Sequence, residues 1–281
     1  MKLYLKFLKI YLNSLSYVFP KYGGKVAVRI FQKVRIKKIK RREQPFYEKA
    51  IKFNVKRETG EDLQCYEFGN PNGKLVFLVH GWNSNAGSLL QFVNALILNN
   101  YRIISLDLPG HALTKESNSN LYICKKSLQN LIEFIKPKDS FNIIGHSFGS
   151  AVLAYALSGT NYKVDNIVLL SANNKITEIF RDFQKLLGFN NRIFEQIEHW
   201  TKRIIKEDLS KMILSDKINN INFKKILIIH DKFDKVIPFH NATEIAGAIP
   251  NATLEAYEKI GHYRMLWNDD VVKKTITFIE K

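Results

Sequence analysis

Ser147 lies in the pentapeptide GHSFG (residues 145–149), which follows the apolar run FNII and precedes SAVLAYALS, a segment with helical patterning. A G-x-S-x-G set between a strand and a helix is the signature of a nucleophile elbow, in which the serine sits on a strained turn with its Oγ raised clear of the sheet. The two glycines are needed because neighbouring Cβ atoms would crowd that turn. A serine hydroxyl is a weak nucleophile at neutral pH, so it requires a base within hydrogen-bond reach and a third group to hold that base. His262, in KIGHYRMLW, follows the last strand-like run on a glycine-marked turn. Imidazole suits the task, since its unperturbed pKa of about 6.5 lets it accept a proton and return it.

Six further histidines have competing readings. His80 closes an apolar run ahead of Gly81 and shapes a turn, and His146 is the variable residue of the elbow. His111 lies in a loop, His199 in a helical stretch, His230 at a strand end and His240 at a helix start. Order in the chain after the serine, and a place at the C-terminal edge of the sheet, single out His262.

The elements that must position these groups are legible as short apolar runs: KLVFLV (74–79), RIISL (102–106), FNIIG (141–145), NIVLL (166–170) and KILIIH (225–230), with a more polar ATLEAYE (252–258) at the end. Helical patterns such as SLLQFVNALILNN and SLQNLIEFIK separate them, which implies a mostly parallel sheet covered on both faces. AIKFNVKRE (50–58) and LQCYEF (63–68) flank a polar turn and read as a hairpin adding an antiparallel edge. Residues 173–222 break the alternation. They contain two helical patterns, ITEIFRDFQKLLGF and IFEQIEHWTKRIIKEDL, and read as a small helical cap.

With 281 residues and 46% hydrophobic content the chain can bury a sizeable core. Its net charge of +17 is concentrated at one end: residues 1–50 hold 14 Lys or Arg and 2 acidic residues, a balance of +12, leaving +5 for the rest. The division expected is therefore a basic extension over 1–45 and a catalytic domain over 46–281. No nucleic-acid motif accompanies the charge. The extension opens with an amphipathic pattern, Tyr4, Leu8, Tyr11, Leu15 and Val18 on one stripe and Lys2, Lys6, Lys9, Asn13 and Ser16 opposite. Lysines and polar residues interrupt it too often for a signal peptide or a spanning helix. Two readings remain: the stripe packs on the enzyme, or residues 1–42, including VRIKKIKRR (34–42), lie on an anionic membrane surface. Cys65 and Cys124 are far apart and outside any CxxC, so neither a disulfide framework nor a structural zinc site is indicated. A reducing cytoplasmic setting, peripheral at the inner membrane face on the second reading, is expected.

Taken in order, HGW (80–82), DLPGH (107–111), GHSFG, DKFDKVIP (231–238) and GH (261–262) resemble the α/β-hydrolase superfamily over roughly residues 50–281. That resemblance implies an α/β fold with an eight-stranded, mostly parallel sheet, a Ser, Asp, His order and a cap between the sixth and seventh strands. It matches Ser147 to the nucleophile, Asp234 to the acid and His262 to the base. The backbone N–H groups of Trp82 and Phe148 match the oxyanion donors, which meet the charge developing on an attacked carbonyl. Two departures stand out: HALTK (111–115) follows DLPG where Gly and Ser are common, and Asp231 stands where a glycine is common, a second carboxylate beside Asp234. Serine at the elbow points away from epoxide hydrolases and haloalkane dehalogenases, whose nucleophile is aspartate.

The expectation is hydrolysis of a carboxylic ester or related small-molecule acyl compound through an acyl-serine, without metal or organic cofactor. Thioesterase, acyltransferase and carbon–carbon hydrolase or lyase chemistry use the same triad and stay open. So does a non-catalytic membrane-surface or binding protein with a vestigial triad.

Overall fold

The computed structural model describes residues 2–35, 38–58, 60–114, 116 and 118–281, so Ile36 and Lys37 of the basic run lie outside the described residues, as does Lys115 of HALTK. From the N-terminus, α1 (Lys2–Val18), α2 (Pro20–Gln32) and α3 (Gln44–Lys49) precede a hairpin of β1 (Ile51–Lys56) and β2 (Asp62–Gly69). Alternation then begins with β3 (Leu75–Val79), α4 (Leu90–Leu98), β4 (Arg102–Leu106), α5 (Leu121–Ile135), β5 (Phe141–His146), α6 (Phe148–Leu157) and β6 (Lys163–Leu170). Three helices follow without a strand: α7 (Ile176–Leu187), α8 (Asn191–Ile205) and α9 (Leu214–Asn219). The chain closes with β7 (Asn222–Asp231), α10 (His240–Ala248), β8 (Thr253–Tyr257) and α11 (Asp269–Glu280).

All eight expected runs are strands of one sheet in the order β1-β2-β4-β3-β5-β6-β7-β8. β1, β2 and β4 pair antiparallel and every other neighbour pairs parallel, as the hairpin and the buried runs require. Every residue of β5 is buried, so Phe141, Ile143 and Ile144 do not alternate with exposed polar residues, and the buried Asn142 side chain accepts a hydrogen bond from Asn166. Register levels the C-terminal ends: Val79 lies beside Gly145, His146 beside Leu170, Leu170 beside Ile229 and Asp231 beside Tyr257. The loops leaving β3, β5, β6, β7 and β8 therefore open along a single edge.

By packing, the chain forms two compact units, 34–174 with 214–281, and 1–33 with 175–213. The first holds the sheet. Phe46, Tyr66, Leu78, Phe92, Ile144 and Met265 lie in its core, each fully buried side chain contributing about 1.5–3 kcal/mol. Side-chain caps set where its longer helices start: Asn120 accepts from the Ile123 N–H at 3.0 Å and Asn268 from that of Val271 at 3.0 Å.

The second unit is helical. α2 crosses α8 closely because Gly23 and Gly24 face Ile193 and Gln196, where a Cβ on either would collide. Phe31 stacks on Phe180 with centroids 4.3 Å apart, and the Trp200 indole donates to the Lys21 carbonyl at 3.0 Å. α1 is tied to the α7–α8 turn by polar contacts: Asn13 accepts from the Asn190 N–H at 3.0 Å and donates to the Gly188 carbonyl at 3.1 Å, and Asn190 donates to Ser16 Oγ at 2.6 Å. Its buried face runs through Leu12 and Ser16 with Leu8 and Leu15 half-buried, whereas Tyr11 and Val18 are exposed. The expected stripe is thus misplaced by part of a turn; the side chain of Tyr4 is not among those described. Two apolar arcs run along this helix, and the stripe read from spacing straddled both. No helix among the described residues is long and apolar enough to cross a membrane.

Candidate active site

Ser147 occupies the turn between β5 and α6 with φ 51° and ψ −118°, a conformation that costs a non-glycine residue about 1–3 kcal/mol. Its surroundings over-determine it. The Ser147 N–H donates to the Leu170 carbonyl at 2.8 Å, its own carbonyl accepts from Ser150 N at 2.9 Å, and Ser150 Oγ donates back to Gly145 O at 2.9 Å. A Cβ on Gly149 would collide with the Val79 carbonyl, and one on Gly145 with Leu153, so only glycine lets α6 pack this close to β3 and β5. Phe148 is the first residue of α6, so its N–H is one of the orphan donors at a helix N-terminus.

His262 and Asp234 come together at the same edge. The Nδ1 of His262 lies 2.7 Å from Asp234 Oδ2, with both residues buried. That carboxylate accepts three more hydrogen bonds: from Ser171 Oγ at 2.9 Å on Oδ2, and from the N–H groups of Val236 at 2.7 Å and Ile237 at 3.0 Å on Oδ1. Burial pushes its pKa up, yet the hydrogen bond and charge of His262 and the two amides outweigh it and hold the group at about 2. Asp234 is therefore an ionised acceptor that fixes the Nδ1–H tautomer and leaves Nε2 as the basic nitrogen. No hydrogen bond among the described residues joins Ser147 Oγ to His262, a contact that in substrate-free sites often tightens only on binding.

Asp231 serves a different purpose. Fully buried, it accepts from Phe233 N at 2.7 Å, Ile260 N at 2.6 Å and Gly261 N at 2.9 Å, binding the loop after β7 to the loop after β8. The first of these loops carries Asp234 and the second His262, so one carboxylate sets the spacing for the other.

His146 is more than a variable elbow residue. Its Nε2 donates to the His262 carbonyl at 3.0 Å, and the rings lie 4.8 Å apart. Complete burial, then the nearby charge of His262, lowers its pKa to about 3, so the ring stays neutral. His80 has an equally fixed tautomer. The Leu108 N–H donates to its Nε2 at 3.0 Å, so the proton resides on Nδ1 and is given to the Gly81 carbonyl at 2.8 Å. Burial holds this ring's pKa well below the ordinary value, in keeping with one donor and one acceptor nitrogen. Because a trans peptide points its C=O and N–H in opposite directions, pinning Gly81 O also fixes the direction of the Trp82 N–H. The Trp82 and Phe148 rings meet edge to face at 5.1 Å, which brings the two candidate oxyanion residues side by side.

A cleft of about 450 Å³ reaches His262. Phe233, Val236 and Tyr263 wall it together with Lys235, Lys259 and Arg264. Cys65 and Cys124 are free and buried, with thiol pKa values pushed up mainly by burial, that of Cys124 to about 12. Of the residues singled out from the sequence, the structure gathers Ser147, Asp234, His262, Trp82 and Phe148 on the loops of one sheet edge. Sequence reasoning missed Ser171 and the hold of His146 on His262. Ser171 carries a positive φ of 48° at the end of β6, for which its sequence gives no signal.

The profile of a family described as alpha/beta hydrolase fold matches residues 74–212. Protein phosphatase methylesterase 1 of Bos taurus is 32% identical over 120 residues, 40% of this chain and 31% of that protein. The chain thus spans about a third of the length of the methylesterases it matches. A 2-hydroxy-6-oxo-6-(2'-aminophenyl)hexa-2,4-dienoic acid hydrolase of Metapseudomonas resinovorans is 20% identical over 264 residues, 79% of this chain and 89% of that one. Among solved structures, an esterase of Pyrococcus furiosus superposes with a TM-score of 0.63 at 17% identity, over 88% of this chain and 94% of the other. An esterase of Rhodococcus gives 0.62 at 16%, over 82% and 98%. At these identities the structural likeness is one of fold.

Proposed function

Because this chain is a member of the α/β-hydrolase superfamily, we propose that it is an enzyme that cleaves a carboxylic ester or related acyl compound through an acyl-serine on Ser147. The single observation that carries the reading is the buried 2.7 Å contact between His262 Nδ1 and Asp234 Oδ2, set on the sheet edge that also bears the strained elbow. In the forward step His262 Nε2 takes the Ser147 proton as Oγ attacks the carbonyl carbon. The N–H groups of Trp82 and Phe148 receive the oxyanion, and Asp234 stabilises the imidazolium. His262 then gives its proton to the departing alcohol, and water repeats the sequence to free the acid. Relatives named methylesterase and neighbours named esterase support this bond type.

One observation favours a second reading with the same residues. The relative matched over most of both chains is named as hydrolase of a 2-hydroxy-6-oxo dienoic acid, which brings carbon–carbon hydrolysis of a keto acid into view. On either reading the substrate is a small molecule held by the sheet unit, and the helical unit that residues 1–33 form with 175–213 has an anionic membrane surface as its partner, at the cytoplasmic face.

A chromogenic ester panel of graded acyl length, run beside Ser147→Ala, tests the proposal. The variant is expected to keep its fold and lose about 10⁴ to 10⁶ in kcat, and a fluorophosphonate is expected to label the parent at Ser147 alone. Parental turnover by Ser147→Ala would move the nucleophile elsewhere, and an unlabelled parent would mean a vestigial site.

A further inference from the structure

α1 presents two apolar faces, and only one of them is used. Leu12 and Ser16, flanked by Leu8 and Leu15, are covered within the helical unit. Leu3, Phe7, Ile10, Tyr11 and Val18 recur at i, i+4, i+7, i+8 and i+15, within about a third of the helix circumference. All five are between 46% and 67% exposed. The bare surface continues round the corner between α1 and α2, where Phe19 and Tyr22 are also exposed. Scattered exposed apolar residues are ordinary, but a contiguous run of this size on one helix marks an interaction surface.

Charge identifies the occupant. Residues 1–33 contain seven Lys or Arg and no Asp or Glu. Lys6 is exposed beside the apolar arc of α1, and Lys21, Lys25 and Arg29 are exposed along α2. A second copy meeting this face through a twofold axis would bring like charges together. An apolar arc bordered by cations, with aromatic residues at its edge, is complementary to an anionic bilayer, whose headgroups pair with the cations and whose acyl boundary takes the arc.

We propose that α1 docks on an anionic membrane surface through Leu3, Phe7, Ile10, Tyr11 and Val18, while Asn13, Ser16 and Leu12 hold its opposite face in the helical unit. This deepens the membrane partner assigned above by naming the face. It replaces the stripe expected from sequence, since Leu8 and Leu15 of that stripe lie toward the packed side. The helix is presented already folded, so docking needs no separate ordering of the segment.

The test is co-sedimentation of the full chain at physiological salt with vesicles of phosphatidylcholine alone or with about a third phosphatidylglycerol. Binding is expected only to the anionic vesicles. It is expected to weaken more than tenfold in Phe7→Glu/Ile10→Glu, with soluble-ester turnover unchanged. Tyr11→Trp is expected to add a component whose emission shifts to the blue on those vesicles and not on neutral ones. A parent that stays in the supernatant overturns the proposal, as does a double variant that sediments like the parent. So does a parent dimer that the double variant dissociates while vesicle binding persists, which would give the face to a second copy. Sedimentation is read without ester, so an inactive triad leaves this outcome standing on its own.

Discussion

Asp234 receives four hydrogen bonds where Asp231 receives three, yet only Asp234 contacts an imidazole. Asp234→Asn is therefore expected to lose about 10³ to 10⁴ in kcat, because the amide no longer fixes the working tautomer of His262. Asp231→Asn keeps kcat within about tenfold but turns an NH₂ toward a backbone donor, at a cost of about 2 kcal/mol read as a lower melting temperature. A larger kcat loss at Asp231 would reverse the assignment. His80 acts at one remove: His80→Ala frees the Gly81 peptide and is expected to lower kcat about 10²-fold with KM little changed, the pattern of a lost oxyanion donor. A drop in kcat/KM carried by KM alone would show that the Trp82 N–H is not positioned through this ring. His146 gives a pH signature. Held at about 3 against an ordinary 6.5, it binds fewer protons folded than unfolded between those values. Stability therefore rises with pH across that window and falls as the solution is acidified below 6.5. Asp234, held at about 2, adds stability that is present above 3.8 and lost as pH falls toward 2. Asp107 works the other way: burial raises it to about 6, so its contribution is present below 3.8 and fades as pH rises through 6. Melting curves of His146→Gln are expected to be flatter than the parent's between pH 6.5 and 4, and an unchanged slope would place the titrating group elsewhere.

At the scale of elements, the elbow depends on how closely α6 approaches β3. Gly149→Ala puts a methyl group against the Val79 carbonyl, and little folded protein is expected; a soluble, active variant would mean that α6 can shift without losing the turn. Such local constraints explain what the sequence made legible. GHSFG declares its turn within five residues, the buried strands declare themselves as short apolar runs, and Asp234 is marked by the Ile and Pro that close DKVIP. Ser171 could not be found that way, because it meets Asp234 only through the pairing of Leu170 with Ile229 and a left-handed backbone with no sequence requirement. The face of α1 failed for a related reason. Helical spacing reports that a helix has apolar arcs, whereas which arc is buried depends on its partners: α2 follows directly, but α7 and α8 lie more than 150 residues along the chain.

At the scale of the whole molecule, the basic segment is part of a folded unit and not a free tail: residues 1–33 pack with 175–213. Deleting 1–33 strips α8 of the α2 surface built around Gly23 and Gly24. The truncated protein is expected to melt well below the parent or to aggregate, and an equal melting temperature would show that α7 and α8 stand without it. The same pairing governs the order of events during synthesis. The first 33 residues emerge from the ribosome about 140 residues ahead of their partner, which at about 5–20 residues per second leaves them alone for roughly 7–28 s. For that interval α1 has α2 beside it but lacks the cover of 175–213, so the growing chain exposes more apolar surface than the finished helical unit.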